Sequence, residues 1–84
     1  MRGINYSRLR SLTARELINA LFKDGFYLHR QTGSHCHYKH EDRRRITVSF
    51  HHSSDIFSTK ILKIMIKDQA KWTEDDLKRL GLLK

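Results

Sequence analysis

The chain has 84 residues, which suits one domain because a chain this short buries only about 60–65% of its unfolded surface. Its 17 lysines and arginines against 9 acidic residues give a formal charge of +8 and favour polyanionic partners. No apolar run approaches the roughly 20 residues that span a bilayer, and the N-terminal residues lack the apolar stretch of a signal peptide. We therefore expect a soluble cytoplasmic protein without membrane contact. The single cysteine, Cys36, cannot form an internal disulfide, which fits a reducing compartment.

The first 12 residues have little periodicity and predict a flexible basic arm over residues 1–12. A helix is predicted from Ala14, because Thr13 and Glu16 have the spacing of a capping box. Its apolar residues recur on one stripe: Ala14, Leu17, Ile18, Leu21 and Phe22. Gly25 then supplies the left-handed residue that commonly ends a helix.

Alternating residues after Gly25 predict two strands joined by a tight turn at Thr32-Gly33. In the first strand, Phe26 and Leu28 share one face, and Tyr27, His29 and Gln31 share the other. The second strand runs from Ser34 to His40, and period-two alternation separates its side chains into two sets. Cys36 and Tyr38 form the inward set, whereas His35, His37 and Lys39 form the outward set.

A third strand is predicted from Arg45 to Phe50, after a charged hairpin tip at residues 41–44. Its inward residues would be Ile46, Val48 and Phe50. Ser58 or Thr59 can cap a second helix, whose predicted buried stripe consists of Ile61, Leu62, Met65 and Ile66, widened by Ile64.

The last predicted element is a short helix capped by Thr73 and ended by Gly81. Whether Leu82 and Leu83 fold back on the domain or meet a partner is open from the sequence. The chain is thus divided into a basic arm (1–12), a domain (13–71) and a C-terminal helical extension (72–84). The predicted fold class is α+β, with the order α-β-β-β-α, a three-stranded antiparallel sheet and a short C-terminal helix.

Several of these segments together resemble the HicA family, the toxin components of HicA–HicB toxin–antitoxin modules. The resemblance extends from about Thr13 to Gln69. It rests on these stretches: Lys23-Asp24-Gly25-Phe26, Arg30-Gln31-Thr32-Gly33-Ser34-His35, Tyr38-Lys39-His40, Arg44-Arg45-Ile46-Thr47-Val48 and Asp55-Ile56. At the hairpin tip, where family members commonly have Pro-Asp-Gly, this chain has Glu41-Asp42-Arg43.

The resemblance implies a fold like that of a double-stranded-RNA-binding domain, endoribonuclease activity on mRNA and neutralisation by a HicB-type antitoxin. It also implies that His35 is the catalytic residue, with Gly33 and Ser34 forming the turn that supports it. No metal and no small-molecule cofactor is expected.

Residue chemistry alone is consistent with this assignment but does not rank the histidines. RNA carries its own nucleophile, so cleavage needs only a base for the 2′-hydroxyl proton, an acid for the leaving 5′-oxygen and positive charge near the phosphate. Histidine suits both proton transfers because its ordinary pKa, about 6.5, lies near physiological pH. His35 and His37 share one face of a strand, and His51 or His52 could lie nearby.

Five basic residues are candidates for holding RNA phosphates, although each could also be a solvated charge: Lys39, Arg43, Arg44, Arg45 and Lys60. A zinc site is the rival chemistry, but alternation directs Cys36 away from His35 and His37. Two other functions stay open. The chain could be a non-catalytic RNA-binding module of the same fold, or a domain whose charge serves chiefly to bind an acidic partner protein.

Overall fold

The computed structural model of the chain describes residues 4–83. In chain order the elements are a 3-10 helix (Tyr6–Leu9), α1 (Ala14–Asp24), β1 (Tyr27–Thr32), β2 (His35–Lys39), β3 (Arg45–Ser49), α2 (Thr59–Lys63) continued by a π-helical segment (Ile64–Gln69), and α3 (Glu74–Arg79). The strands pair antiparallel in the order β1-β2-β3. This architecture confirms the predicted α+β fold, with a helix before the three strands, a helix after them and a short C-terminal helix.

The sheet has one buried face and one solvent-facing face, as the alternation in β2 and β3 predicted. Cys36 and Tyr38 of β2 and Ile46 and Val48 of β3 are buried. They pack in one core with helical residues, of which the most deeply buried are Leu17, Leu21, Leu62, Ile66 and Leu77. The helices therefore cover the inner face, and the outer face is left for function.

Strand β1 departs from the predicted alternation. Phe26 is buried but precedes the strand, and all residues of β1 are exposed, including Leu28 at 45%. The pairing with β2 shifts between Leu28 and Arg30, so His29 occupies a β-bulge. Because β1 is an edge strand with a bulge, a simple two-residue period does not describe it.

The segment before α1 also differs from the predicted flexible arm. Tyr6–Leu9 forms a 3-10 helix, and Leu9 and Leu12 lie in the core. Two leucines three residues apart give too short a pattern to predict a helix from sequence, but their burial ties this segment to the domain. The first three residues of the predicted arm lie outside the described residues.

The predicted helix caps are all present. Thr13 and Glu16 form the capping box of α1, Ser58 caps α2, and Thr73 forms a second capping box with Asp76 at α3. Gly25, with φ +105°, ends α1. None of the helices within residues 4–83 combines the length and the apolar character that crossing a membrane requires.

Helix α2 buries a narrower stripe than predicted. Leu62, Met65 and Ile66 are buried, whereas Ile61 and Ile64 are 44% and 37% exposed. The turn widens into a π-helical segment at Ile64, which alters the angular spacing on which the prediction relied.

The C-terminal segment folds back on the domain. Trp72, Leu77, Leu80 and Leu83 are buried in the common core. This answers the question that the sequence left open, since Leu83 contacts the chain's own core. The predicted extension therefore completes the hydrophobic core.

One carboxylate, that of Asp24 at the end of α1, joins three distant parts of the chain. Its side chain is only 8% exposed and accepts hydrogen bonds from Trp72 Nε1 at 2.9 Å and Arg79 Nη2 at 2.8 Å. Arg44 Nη2, from the β2–β3 hairpin, lies 3.0 Å from Asp24 Oδ2, the same oxygen that accepts from Trp72. Burial alone would raise the pKa of Asp24, but these donors outweigh it and hold the pKa below its ordinary value.

Replacing this carboxylate is expected to destabilise the fold in a pH-dependent way. Asp24→Asn should lower the free energy of unfolding by about 1–3 kcal/mol near neutral pH, because charged donors lose their partner. The folded pKa of Asp24 is lowered, so its contribution is complete above its unfolded pKa, about 3.9, and disappears as the pH falls through the lower folded value. Urea unfolding of wild type and variant between pH 3 and pH 7 measures this difference.

Asp75→Asn is the matched control, because Asp75 is an exposed acid of α3. It should change the free energy of unfolding by less than about 0.5 kcal/mol. Two results would contradict the role assigned to Asp24. One is an Asp24→Asn variant as stable as this control, and the other is a difference in free energy of unfolding from wild type that stays the same as the pH falls.

Candidate functional site

The outer face of the sheet carries the histidines and basic residues singled out from the sequence. His35, His37 and Lys39 of β2 pair in register with Ser49, Thr47 and Arg45 of β3. Directly paired residues in an antiparallel sheet project to the same side, so these six side chains share one face. Each of them is exposed or half-buried, while the alternate residues are buried. The predicted common direction of His35, His37 and Lys39 is therefore confirmed.

His35 is the first residue of β2 and is fixed by backbone pairing on both sides. A two-residue turn, Gly33-Ser34, connects it to Thr32, its partner in β1. Gly33 has φ +58°, a left-handed conformation that glycine adopts without strain. The Phe50 N–H donates to the Ser34 carbonyl at 3.1 Å and ties the turn to the end of β3. The backbone of His35 is thus held firmly, while its side chain is exposed to solvent.

Farther along the strands, the outer face contains a cavity of about 340 Å³, here called the outer cavity. Its lining residues are His29, Arg30, His37, Tyr38, Lys39, Arg45, Ile46 and Thr47. His37 is half-buried, and its Nδ1 lies 3.0 Å from the hydroxyl oxygen of Thr47. The charge of Lys39 above all, with slight desolvation and the charges of Arg30 and Arg45, lowers the pKa of His29.

Sequence reasoning did not select His29 as a functional candidate. Its place in β1 was predicted, but the bulge at this residue and the approach of basic residues from two other strands were not. The only signal in the sequence was its position among polar residues on one face of a predicted strand, which is common for surface histidines.

The five predicted phosphate-binding residues fall into three groups: Lys39, Arg43 and Arg45 at one cavity, Lys60 on α2, and Arg44 in ion pairs within the protein. Lys39, Arg43 and Arg45 surround a second cavity of about 370 Å³ next to the hairpin tip, together with His40 and Arg44. Lys60 is exposed in the first turn of α2, among the helices rather than on the outer face.

Arg44 is engaged in contacts within the protein. Its guanidinium forms ion pairs with Asp24 and Asp42, donates to the Ala70 carbonyl at 2.7 Å and lies 4.9 Å from the Phe26 ring centroid. These contacts use most of its donors. A structural role therefore accounts for Arg44, and we do not retain it among the phosphate-binding candidates.

The remaining histidines have different surroundings. His40 donates from Nε2 to the Asp24 carbonyl at 2.8 Å and accepts the Asp42 N–H at Nδ1, so it connects the hairpin to the end of α1. A Cβ atom on Gly25 would lie 2.9 Å from His40 Nε2, which makes glycine necessary at this position. His51 and His52 are exposed, and their backbone N–H groups donate to Asp55.

Cys36 lies on the opposite face of the sheet from the histidines of β2. Cys36 is buried beside Tyr38, whereas His35 and His37 lie on the outer face. Within residues 4–83, no three histidine, cysteine or acidic side chains are grouped closely enough to hold a metal ion. Burial, with a smaller effect of Cys36, raises the pKa of Tyr38 to about 12, so Tyr38 is poorly suited to proton transfer near neutral pH.

A family model described as the HicA toxin of bacterial toxin-antitoxin matches residues 14–72, well over half of the chain. The chain belongs to the HicA toxin family. The match confirms the family predicted from the sequence and supports a toxin function, with an antitoxin as partner in general terms. It ends at Trp72, so helix α3 lies beyond the matched region although it is part of the core. No curated protein and no solved structure matched the chain.

Arg43 occupies a backbone conformation that costs free energy. Its φ angle is +77°, in the left-handed region, at the tip of the β2–β3 hairpin. A residue with a Cβ atom pays about 1 kcal/mol or more in this conformation. An exposed arginine at such a position is therefore a candidate for a role in binding.

Arg43→Gly is expected to raise the free energy of unfolding by about 0.5–1 kcal/mol, because it removes the Cβ atom that makes φ +77° unfavourable. Arg43→Ala is the matched control, since it removes the same charge but keeps the Cβ atom. Urea unfolding of both variants and wild type measures the effect. Equal stabilisation by alanine and glycine would show that charge repulsion, and not backbone conformation, accounts for the change.

Proposed function

We propose that this HicA-family chain is the toxin of a type II toxin–antitoxin module and a metal-independent endoribonuclease that cleaves mRNA through His35. The observation that carries the proposal is the position of His35. Its side chain is exposed at the start of the central strand, behind a fixed two-residue turn and on the same face as Lys39 and Arg45. Family membership supports the toxin part of this proposal independently.

The chemistry requires few protein groups, because RNA supplies the nucleophile. The 2′-oxygen would form a bond to phosphorus while the bond from phosphorus to the 5′-oxygen breaks. A base accepts the 2′-hydroxyl proton, and an acid donates a proton to the leaving 5′-oxygen. The products are a 2′,3′-cyclic phosphate and a 5′-hydroxyl. His35 would perform one of these proton transfers, a role that histidine fills well near neutral pH.

Basic residues on the same side of the domain would hold the RNA by its backbone phosphates. Lys39, Arg43 and Arg45 meet at one cavity, and the chain has a formal charge of +8. Contacts of this kind to phosphates fix the position of the RNA strand on the protein. Lys60 would add only a distant contact from α2, because it lies apart from this cluster.

The antitoxin would be a HicB-type protein acting in the cytoplasm. The basic surface that attracts RNA is also complementary to an acidic protein, so one surface could serve both partners.

His35→Ala should abolish both RNA cleavage and growth arrest while the domain stays folded, since its side chain is exposed. Loss of a general acid or base lowers the rate by about 10²–10⁴-fold. Purified antitoxin-free proteins would be incubated with RNA in EDTA, and expression of each protein would be tested for growth arrest. His52→Ala is the matched control, because it removes another exposed histidine from a loop.

Cleavage by His35→Ala at the wild-type rate would contradict the role of His35. Wild-type protein that binds RNA but never cleaves it would instead favour a non-catalytic RNA-binding module of the same fold. Folding of each variant would be checked by circular dichroism.

A further inference from the structure

The outer cavity lies on the same face as His35 but at a different position along the sheet. His37, which lines it, follows His35 by two residues on β2. Two residues of a strand span about 7 Å. The distance from His35 to the cavity is therefore about the length of one nucleotide, and His35 itself does not line the cavity.

Five side chains that carry or can gain positive charge line this cavity: His29, Arg30, His37, Lys39 and Arg45. They come from all three strands. The salt bridges found within residues 4–83 involve none of these five. Arg44, only one residue before Arg45, is by contrast paired with Asp24 and Asp42.

Like charges gathered in one place repel one another, and an anion placed between them relieves this repulsion. The lowered pKa of His29 is a sign of that repulsion, with Lys39 as its largest cause and Arg30, Arg45 and His37 also contributing. An anion in the cavity would favour the protonated form of His29.

Polar groups in the cavity also suit an oxyanion. The Thr47 hydroxyl lies 3.0 Å from His37 Nδ1, and this hydrogen bond fixes the imidazole. With Thr47 as the donor, the ring carries its proton on Nε2 and can donate it to an oxyanion. His37 Nε2 has no hydrogen-bond partner among residues 4–83. Tyr38 and Ile46 also line the cavity, but their side chains are buried on the inner face, so they contribute backbone to its floor.

The lining favours RNA over an acidic protein segment. Protein interfaces are usually centred on exposed aromatic or aliphatic anchors. None of the exposed large apolar residues of the described chain lines this cavity, and they are Phe22, Tyr27, Leu28, Ile56, Ile61 and Ile64. Tyr27 pairs with Lys39 and so lies next to the cavity on the outer face.

We propose that the outer cavity is a phosphate subsite that binds the RNA backbone next to the phosphate attacked at His35, with His29, Lys39 and Arg45 as its principal contacts. This subsite rests on the proposed function in its choice of ligand. Contacts to a neighbouring phosphate fix the register of the strand and so position the scissile bond.

The test measures the pKa of His29 by NMR in the wild-type protein, with and without a 2′-O-methyl RNA tetranucleotide, which lacks the nucleophile and cannot be cleaved. The pKa of His29 should rise towards or above its ordinary value of about 6.5 when the oligonucleotide binds. Hexaglutamate at the same charge concentration is the second probe, and it should leave the pKa of His29 nearly unchanged.

Affinity measurements at several salt concentrations complete the experiment. Lys39→Gln and Arg45→Gln should each weaken oligonucleotide binding by about 3–10-fold and reduce the salt slope by about 0.7, the value for one phosphate contact on a single strand. Lys63→Gln is the matched control, because Lys63 is an exposed lysine of α2 outside the cavity, and it should change neither quantity.

A His29 pKa that does not respond to bound oligonucleotide, or that responds equally to hexaglutamate, would overturn the subsite. Equal effects of the three glutamine variants would also overturn it. These outcomes are independent of cleavage. If the protein cuts no RNA but the pKa of His29 rises with bound oligonucleotide, the subsite is supported and the proposed function is contradicted. If the protein cuts RNA but the pKa of His29 does not respond, the proposed function is supported and the subsite is contradicted.

Discussion

The buried carboxylate of Asp24 connects the end of α1, the β2–β3 hairpin and the C-terminal helix. Trp72 and Arg79 reach it from the C-terminal segment, and Arg44 reaches it from the hairpin. A carboxylate with so little exposure requires these donors, because an unpaired buried charge is costly. The position of the hairpin tip, and of the basic residues around it, therefore depends on an interaction formed on the covered side of the domain.

This arrangement divides the arginines of the hairpin by role. Arg44 points into the network at Asp24 and stacks over Phe26, while Arg43 and Arg45 line surface cavities. The residues of the central strand, β2, also differ in role according to their direction. Cys36 and Tyr38 are buried, whereas His35, His37 and Lys39 are turned outward. A small domain can thus present a dense positive surface, because the opposite face and the ion pairs behind it provide the stability.

Much of this fold could be predicted from the sequence because its signals are local. The capping box at Thr13, the helix cap at Thr73 and the two-residue alternation in β2 and β3 depend on near neighbours, and the structure confirms them. The bulge at His29 depends on pairing with another strand. It places Gln31 opposite the inward residue Cys36, so the predicted common face of Tyr27 and Gln31 was wrong. Likewise, the sequence places Arg43, Arg44 and Arg45 side by side and cannot show which of them meets Asp24, a residue 20 positions earlier.

The choice of His35 came from family resemblance, and the outer cavity with His29 emerged only from the three-dimensional arrangement. The most direct measurement of the central claim uses one short RNA whose cleavage site has been mapped. That RNA would be resynthesised with a single 2′-deoxy sugar immediately 5′ of the cut, and both forms would be incubated with wild-type protein in EDTA. We expect cleavage of the all-ribose form, with 2′,3′-cyclic phosphate and 5′-hydroxyl ends, and none at the deoxy position. Cleavage of both forms, or of neither until a divalent cation is added, would contradict a metal-independent ribonuclease that relies on the 2′-hydroxyl.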